Sequence, residues 1–201
     1  MPVNRDTVWQ HIDEQRTSLA DLIDDLGSRG PGVWDTPSLC AGWSVRNVAA
    51  HLTHSTMAPP RMLWEAIRSG FRFDAMVDRL ALADPRSPAE ISAHLRAAVG
   101  SRRHPPGTTA FEPLIDVLVH AQDICVPLGI DRPMPVDAAV AAAERVWEMG
   151  FPFRARTRLA GVRLVATDAD FAVGAGREHA APVRELLMVL TGRAAAVADA
   201  R

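Results

Sequence analysis

Two side chains that can bind a metal ion stand four residues apart in one predicted helix. Asp116 and His120 lie in the stretch LIDVLVHAQDIC, where this spacing puts both on one helix face, about one turn apart. The helix of HExxH metalloproteases holds two zinc ligands at the same spacing. His51, on another predicted helix, completes a set of three and leaves one coordination position open, as catalytic zinc sites do. We therefore predict a single-metal site at His51, Asp116 and His120.

Each of these residues also has a plain structural explanation. An Asp-x-x-x-His pair can face solvent or form a hydrogen bond within its helix, and a single histidine can be buried with ordinary partners. Both histidines stand among alanine, leucine and valine residues. A buried imidazole in such a stretch needs a polar partner, and a metal ion would supply one.

Two polar residues follow the predicted histidine ligands by three positions. His54 follows His51, and Asp123 follows His120, so either can hold a ligand in its orientation by a hydrogen bond. Capping, surface charge or an ordinary ion pair would explain each of them equally well.

Cys40 and Arg79 are the remaining candidates. Cys40 precedes a predicted helix N-terminus, where a thiolate is stabilised, but a loop residue packed under Trp43 would have the same sequence. Arg79 can bind a substrate carboxylate, although a surface ion pair suits a single arginine as well. The sequence has no Gly-rich phosphate loop, no G-x-S-x-G motif and no Cys-x-x-Cys pair. The sequence therefore assigns no protein nucleophile, and the open metal position is left for a water or a substrate ligand.

The hydrophobic pattern predicts the helices that position these residues. Apolar residues at helical spacing, capping residues and helix-stopping glycines and prolines delimit them. The predicted helices span about 6–26, 45–57, 61–82 with a break at 69–70, 88–99, 113–128, 137–149 and 182–190. Ser44 is expected to cap the second helix, and Ser87 with Glu90 to form a capping box at the fourth. Residues 162–166 and 171–173 flank a turn and predict a β-hairpin.

Length and composition limit the domain organisation, the binding partners and the cellular location that can be expected. The 201 residues predict a helical bundle at 1–150 and a small α+β appendage at 151–201 packed on it. The net charge of −2 gives no basic surface for nucleic acid or an anionic membrane. Two cysteines and a charged start without an apolar stretch predict a soluble, cytoplasmic protein. The complete absence of lysine suggests a high-GC bacterial source.

Three segments resemble a known family. The stretch LCAGWSVRNVAAHL at 39–52 resembles the segment C-x-G-W-[ST]-V-[RK]-[DN]-V-x-A-H-L of the mycothiol-dependent maleylpyruvate isomerase family. That family belongs to the DinB/YfiT-like superfamily of metal-binding four-helix bundles. The stretch DVLVHAQDI at 116–124, followed by Leu128-Gly129, resembles its E-x-x-V-H-x-x-D-[IL]…LG helix. Residues 162–193 resemble its C-terminal hairpin and final helix.

The resemblance implies a mainly α fold, a DinB-like four-helix bundle with a small C-terminal β-hairpin and final helix. By similarity, the metal ligands are His51, Asp116 and His120. Asp116 stands where the family more often has glutamate, and its shorter arm would move the carboxylate oxygen or bring in a water. The C-terminal part is shorter than in the isomerase, which affects how thiol or substrate is held.

The function implied by the resemblance is that of a metal-dependent and thiol-dependent enzyme. Zinc is the expected divalent metal, with nickel or another ion as alternatives, and mycothiol is the expected thiol cosubstrate. The enzyme would act on a small electrophile as an isomerase or an S-transferase, and as a monomer or homodimer. Two alternatives stay open: a non-catalytic metal-binding or thiol-binding stress or detoxification protein, and a metal-dependent hydrolase that needs no thiol.

Overall fold

The computed structural model describes residues 4–193, which form two compact units. One unit spans Trp9–Arg132, and the other starts at Pro133 and includes the residues before Trp9. The elements are α1 (Arg5–Ser28), α2 (Val45–Leu52), α3 (Pro59–Arg68), α4 (Phe73–Leu82), α5 (Pro88–Ala97), α6 (Phe111–Cys125), α7 (Val136–Glu148), α8 (Ala155–Arg158), β1 (Val162–Ala166), β2 (Ala172–Gly174), β3 (Arg177–Ala181) and α9 (Val183–Leu190). Every helix among the described residues is too short or too polar to cross a bilayer.

The unit from Trp9 to Arg132 is built on one hydrophobic core, formed mainly by α1, α2, α5 and α6, to which Ala81 of α4 also contributes. Leu19 and Ile23 of α1, Val48 of α2, Ile91 of α5 and Ile124 of α6 are all buried in it. Burying each such aliphatic side chain stabilises the fold by roughly 1.5–3 kcal/mol. This core confirms the prediction of a mainly α, DinB-like four-helix bundle.

The helix that carries His51 is fixed at both ends by local hydrogen bonds. Ser44 caps α2 as predicted: its side chain accepts from the Asn47 backbone N–H, and the Asn47 side chain accepts from the Ser44 backbone N–H. The helix ends at Leu52, earlier than the predicted end near 57, and a 3₁₀ turn covers Thr53–Thr56. The Thr53 hydroxyl donates to the Ala50 carbonyl at 2.6 Å, a side-chain bond that competes with continued α-helix. His51 therefore lies in the last turn of α2.

The unit that starts at Pro133 packs α7 against α9 and carries a small sheet in the order β2-β1-β3. The predicted hairpin is confirmed, since β1 and β2 pair antiparallel with Leu164 opposite Val173. The sheet also has a third strand, β3, parallel to β1. Its sequence REHAA has no apolar alternation, so the pattern did not predict it. A Cβ at Gly176 would collide with the Gly161 carbonyl, so the chain needs a glycine before β3.

Candidate metal centre

The three predicted ligands lie side by side in the Trp9–Arg132 unit. His51 comes from the last turn of α2, and Asp116 and His120 come from successive turns of α6, against which α2 packs. One donor atom from each residue lies within 4.8 Å of the other two. The rings of His51 and His120 meet edge to face, with centroids 4.9 Å apart. The structure thus brings an imidazole, a carboxylate and a second imidazole to one point.

This donor set fits a divalent metal such as zinc. Neutral imidazole and carboxylate are common ligands of catalytic zinc, and ligands that share one ion at roughly 2.1 Å stand about 3–4 Å apart. Donor atoms already within 4.8 Å of one another need only small side-chain rotations to share an ion. The aspartate arm is long enough to bring its oxygen to the two imidazoles, although the family more often has glutamate there.

His120 is held by a buried carboxylate on its own helix. Its Nδ1 lies 2.8 Å from Oδ2 of Asp123, and Asp123 is completely buried. An ionised carboxylate only accepts, so the Nδ1–H donates and Nε2 remains as the ring nitrogen for a metal. Metal-binding histidines in proteins are commonly oriented in this way. The position predicted for Asp123 therefore has the geometry expected of a residue that orients His120.

Cys40 contacts the same carboxylate from the loop before α2. Its thiol donates to Oδ2 of Asp123 at 3.0 Å, and its Sγ lies 3.6 Å from Nδ1 of His120. The loop is tied to α6, because the Leu39 N–H donates to the Asp123 carbonyl at 3.2 Å. A tight turn with Gly42 at φ 80° brings the chain back to α2, a conformation that favours glycine.

Cys40, His120 and Asp123 also form a second group whose donor atoms lie within 4.8 Å of one another. Their separations of 2.8–3.6 Å are those of hydrogen bonds. We interpret this group as a hydrogen-bond network that orients His120. In this interpretation Nδ1 is bonded to Asp123, and Nε2 is left to bind a metal. His120 belongs to both groups.

Trp43 is a further residue of the site that the residue-by-residue prediction did not assign. Its ring centroid lies 5.2 Å from that of His51 and 6.4 Å from that of His120. The indole Nε1–H donates to Asp78 of α4 at 3.0 Å, and Trp43 is almost fully buried. The ring therefore limits the orientations of both histidines. Its only sequence signal was its place in the Gly-Trp-Ser segment.

His54 belongs to a separate polar network. Its Nε2 lies 3.0 Å from Oδ2 of Asp84, and the Arg86 Nε–H donates to the other oxygen of Asp84 at 2.9 Å. Burial lowers the pKa of His54 below its usual value, and the hydrogen bond with Asp84 opposes that effect. Burial also opposes ionisation of Asp84, but hydrogen bonds from Arg86 and His54 outweigh it and hold the pKa of Asp84 well below its usual value. The role predicted for His54 in orienting a ligand stays a prediction.

Arg79 is engaged in an ion pair between α3 and α4. Its Nη2 lies 2.6 Å from a Glu65 carboxylate oxygen and 3.1 Å from the Ser69 hydroxyl, and Glu65 is buried. The binding of a substrate carboxylate by Arg79 stays a prediction that this ion pair does not favour.

A cavity of about 100 Å³ reaches the metal centre, and both His51 and Asp116 line it. The rest of the wall comes from the 3₁₀ turn after α2, from α3 and α4, and from Pro105. A ligand in this cavity would lie directly beside two of the three metal-binding side chains.

Comparison with known proteins gives a family and a fold. Residues 12–104 match the family described as mycothiol maleylpyruvate isomerase N-terminal domain. This match contains the motif at 39–52 and confirms the family predicted from it, but it ends before Asp116. Among curated proteins, no sequence matches the chain.

Two solved structures share the fold. The crystal structure of the mycothiol-dependent maleylpyruvate isomerase matches with a TM-score of 0.52 and 16% identity, over 90% of this chain and 89% of that chain. The crystal structure of a mutant of that enzyme, with one histidine replaced by alanine, matches equally well.

Proposed function

Because residues 12–104 belong to the family of mycothiol maleylpyruvate isomerase N-terminal domains, we propose that this protein is a metal-dependent enzyme that uses mycothiol to act on a small electrophile. The observation that carries the proposal is the convergence of His51, Asp116 and His120 beside an open cavity. We place the activity in the cytoplasm, where thiols stay reduced.

The chain's own residues hold and orient the centre in this proposal. A zinc or other divalent ion bound by His51, Asp116 and His120 would supply the Lewis acidity that keeps a coordinating thiol deprotonated at neutral pH. Asp123 would keep the proton of His120 on Nδ1, which leaves Nε2 to bind the metal. Trp43 packs beside both imidazoles and limits their orientations.

Two reactions are available to a thiolate held next to an electrophile. Its sulfur can add to an activated double bond, which leaves a single bond that rotates, and can then leave to give the other geometric isomer and free thiol. If the sulfur stays attached and the carbon takes up a proton, the same first step makes the protein a thiol S-transferase. Both outcomes need the same site.

The experiment measures metal content and thiol-dependent turnover in the same preparations. Wild-type protein purified without an affinity tag is expected to hold one metal ion per chain and to turn over an activated alkene only when mycothiol is present. His120→Ala is expected to lose both metal and turnover. His94→Gln is the matched control, because His94 lies on α5 and contacts Thr56 instead of the site. Full turnover by a metal-free His51→Ala/His120→Ala protein would contradict the proposal.

The same measurements separate the two rival functions. A hydrolase that uses metal-bound water would act on its substrate without added thiol. A non-catalytic metal-binding or thiol-binding protein would bind metal and mycothiol, yet would consume no thiol with any member of a panel of electrophiles.

A further inference from the structure

The cavity beside the metal centre has an apolar wall. Apart from the two ligands His51 and Asp116, its wall includes three methionines and other apolar side chains. These are Met57, Met62, Phe73, Met76, Val77 and Leu80. The wall also has two polar residues, His54 and Ser55, but His54 is bound to Asp84 and the Ser55 hydroxyl donates to the Leu52 carbonyl. Methionine side chains are flexible and polarisable, so a wall of this kind adapts to apolar groups of different shape.

No arginine lines this cavity among the described residues. Two arginines of the surrounding segments have other partners: Arg79 is paired with Glu65, and Arg86 with Asp84. Arg61, at the start of α3, acts on His54 electrostatically but is not part of the wall. The one acidic residue of the wall, Asp116, would repel an anion wherever the metal does not neutralise it.

A substrate with carboxylate groups is poorly matched to this wall. A carboxylate that leaves water needs a positive partner or several hydrogen-bond donors, and methionine, phenylalanine, valine and leucine supply neither. An uncharged ester or ketone with alkyl or aryl substituents makes no such demand, and it gains from removing apolar surface from water.

We propose that the cavity binds the electrophile of the reaction and selects uncharged, apolar α,β-unsaturated carbonyl compounds over carboxylate-bearing ones. The proposal rests on the proposed function for the reaction itself, and it adds the class of substrate. The reacting carbon would lie near His51 and Asp116, with the apolar substituents against the methionines of the 3₁₀ turn, α3 and α4.

Binding tests the proposal without any turnover. Diethyl succinate and succinate are an unreactive pair that differ in charge, and their dissociation constants are measured by NMR titration of the metal-loaded protein. We expect the diester to bind at least about tenfold more tightly, since an apolar pocket discriminates by that order against a group it cannot satisfy.

Two neighbouring substitutions on α3 locate the binding. Met62→Gln puts an amide of similar size into the wall, and we expect it to weaken diester binding about fivefold. Leu63→Gln is the matched control, because Leu63 is 57% exposed and lies outside the wall, and it is expected to leave binding unchanged. Equal or tighter binding of succinate would overturn the proposal, and so would diester binding that is insensitive to Met62→Gln.

Measurement of turnover gives a second test of the substrate preference. With mycothiol as the thiol, isomerisation of diethyl maleate and of maleate is compared, each relative to its uncatalysed rate with the same thiol. A larger acceleration for the diester supports the proposal, and a larger acceleration for maleate overturns it. If neither is accelerated, the proposed function fails, while the binding experiment still decides what the cavity accepts.

Discussion

Two aspartate–histidine pairs lie in the same unit, and they differ in which ring nitrogen the carboxylate holds. Asp123 binds His120 through Nδ1 at 2.8 Å, whereas Asp84 binds His54 through Nε2 at 3.0 Å. The first pair engages Nδ1 and leaves Nε2 of His120 as the nitrogen that a metal can use. In the second pair, the carboxylate is also bound by Arg86, and His54 is not part of either group of potential ligands.

The difference shows that a histidine near a metal ligand is not thereby part of the metal centre. His51 and His54 are three residues apart, yet His51 turns towards α6 while His54 is held by the segment between α4 and α5. The hydrogen-bond partner of one ring nitrogen fixes the tautomer, and the tautomer determines whether the other nitrogen can bind a metal. We expect the Asp123 pair to support metal binding and the Asp84 pair to support the fold.

The largest expected effect comes from removing the charge that holds His120. Asp123→Asn should lower zinc affinity about 10–100-fold, because a neutral amide accepts from the His120 Nδ1–H more weakly than a carboxylate does and so orients the ring less well. Asp84→Asn, the same change in the other pair, should leave zinc affinity within about twofold. Competition titration with a zinc chelator measures both. An equal loss of affinity in the two variants would remove the distinction between the pairs.

The stability of the fold should respond in the opposite order. Asp84→Asn leaves Arg86 and His54 with a weaker acceptor in a buried network, and we expect it to lower the free energy of unfolding by about 2 kcal/mol. Urea denaturation of metal-free protein measures this effect. A stability equal to wild type would show that the Asp84 network does not support the fold.

Acid should lower the stability of the fold in two steps, through His54 and then through Asp84. The pKa of His54 is lowered in the folded protein, so the unfolded chain takes up this proton first, and stability falls as the pH drops below the ordinary histidine value of about 6.5. The pKa of Asp84 is also lowered, so its contribution is fully present above about pH 4 and is lost as the pH falls towards the folded value.

His54→Gln tests the first step, since it removes the titrating ring. Between pH 7.5 and 5.5, the metal-free variant should lose less of its unfolding free energy than metal-free wild type. Identical losses in the two proteins would assign the acid sensitivity in this range to other groups.

The smallest expected effect concerns the thiol that donates to Asp123. Cys40→Ala removes one hydrogen bond from the carboxylate that holds His120. We expect zinc affinity to fall about two- to fivefold, because this corresponds to the net contribution of one hydrogen bond. Cys40→Ser keeps a donor and should recover most of the loss. Cys125→Ala controls for removal of a cysteine on α6 away from the site. Full affinity in Cys40→Ala would show that the thiol is not part of the support.

The sequence predicted those parts of the site that depend on local geometry. Asp116, His120 and Asp123 share one helix, so their spacing alone places them on related faces. The capping of α2 at Ser44 and the β1–β2 hairpin also follow from short patterns. The pairing of His51 with α6 was proposed from the residue types and was supported by the family resemblance, because periodicity does not say which helices pack together.

The remaining features depend on contacts between distant segments. Cys40 and Trp43 reach the site through a loop that the Leu39–Asp123 backbone bond ties to α6, and no spacing rule predicts such a bond. The partner of His54 is 30 residues away in the sequence. The third strand joins the sheet by parallel pairing with β1, although its own sequence carries no strand pattern.

The central claim is that the metal is held by His51, Asp116 and His120, and not by the adjacent group that contains Cys40. X-ray absorption spectroscopy of the zinc-loaded protein without added thiol tests it directly. We expect only nitrogen and oxygen neighbours, at about 2.0–2.2 Å, with the scattering pattern of two imidazoles. A sulfur neighbour at about 2.3 Å with a single imidazole would place the ion on Cys40, His120 and Asp123 and would contradict the account.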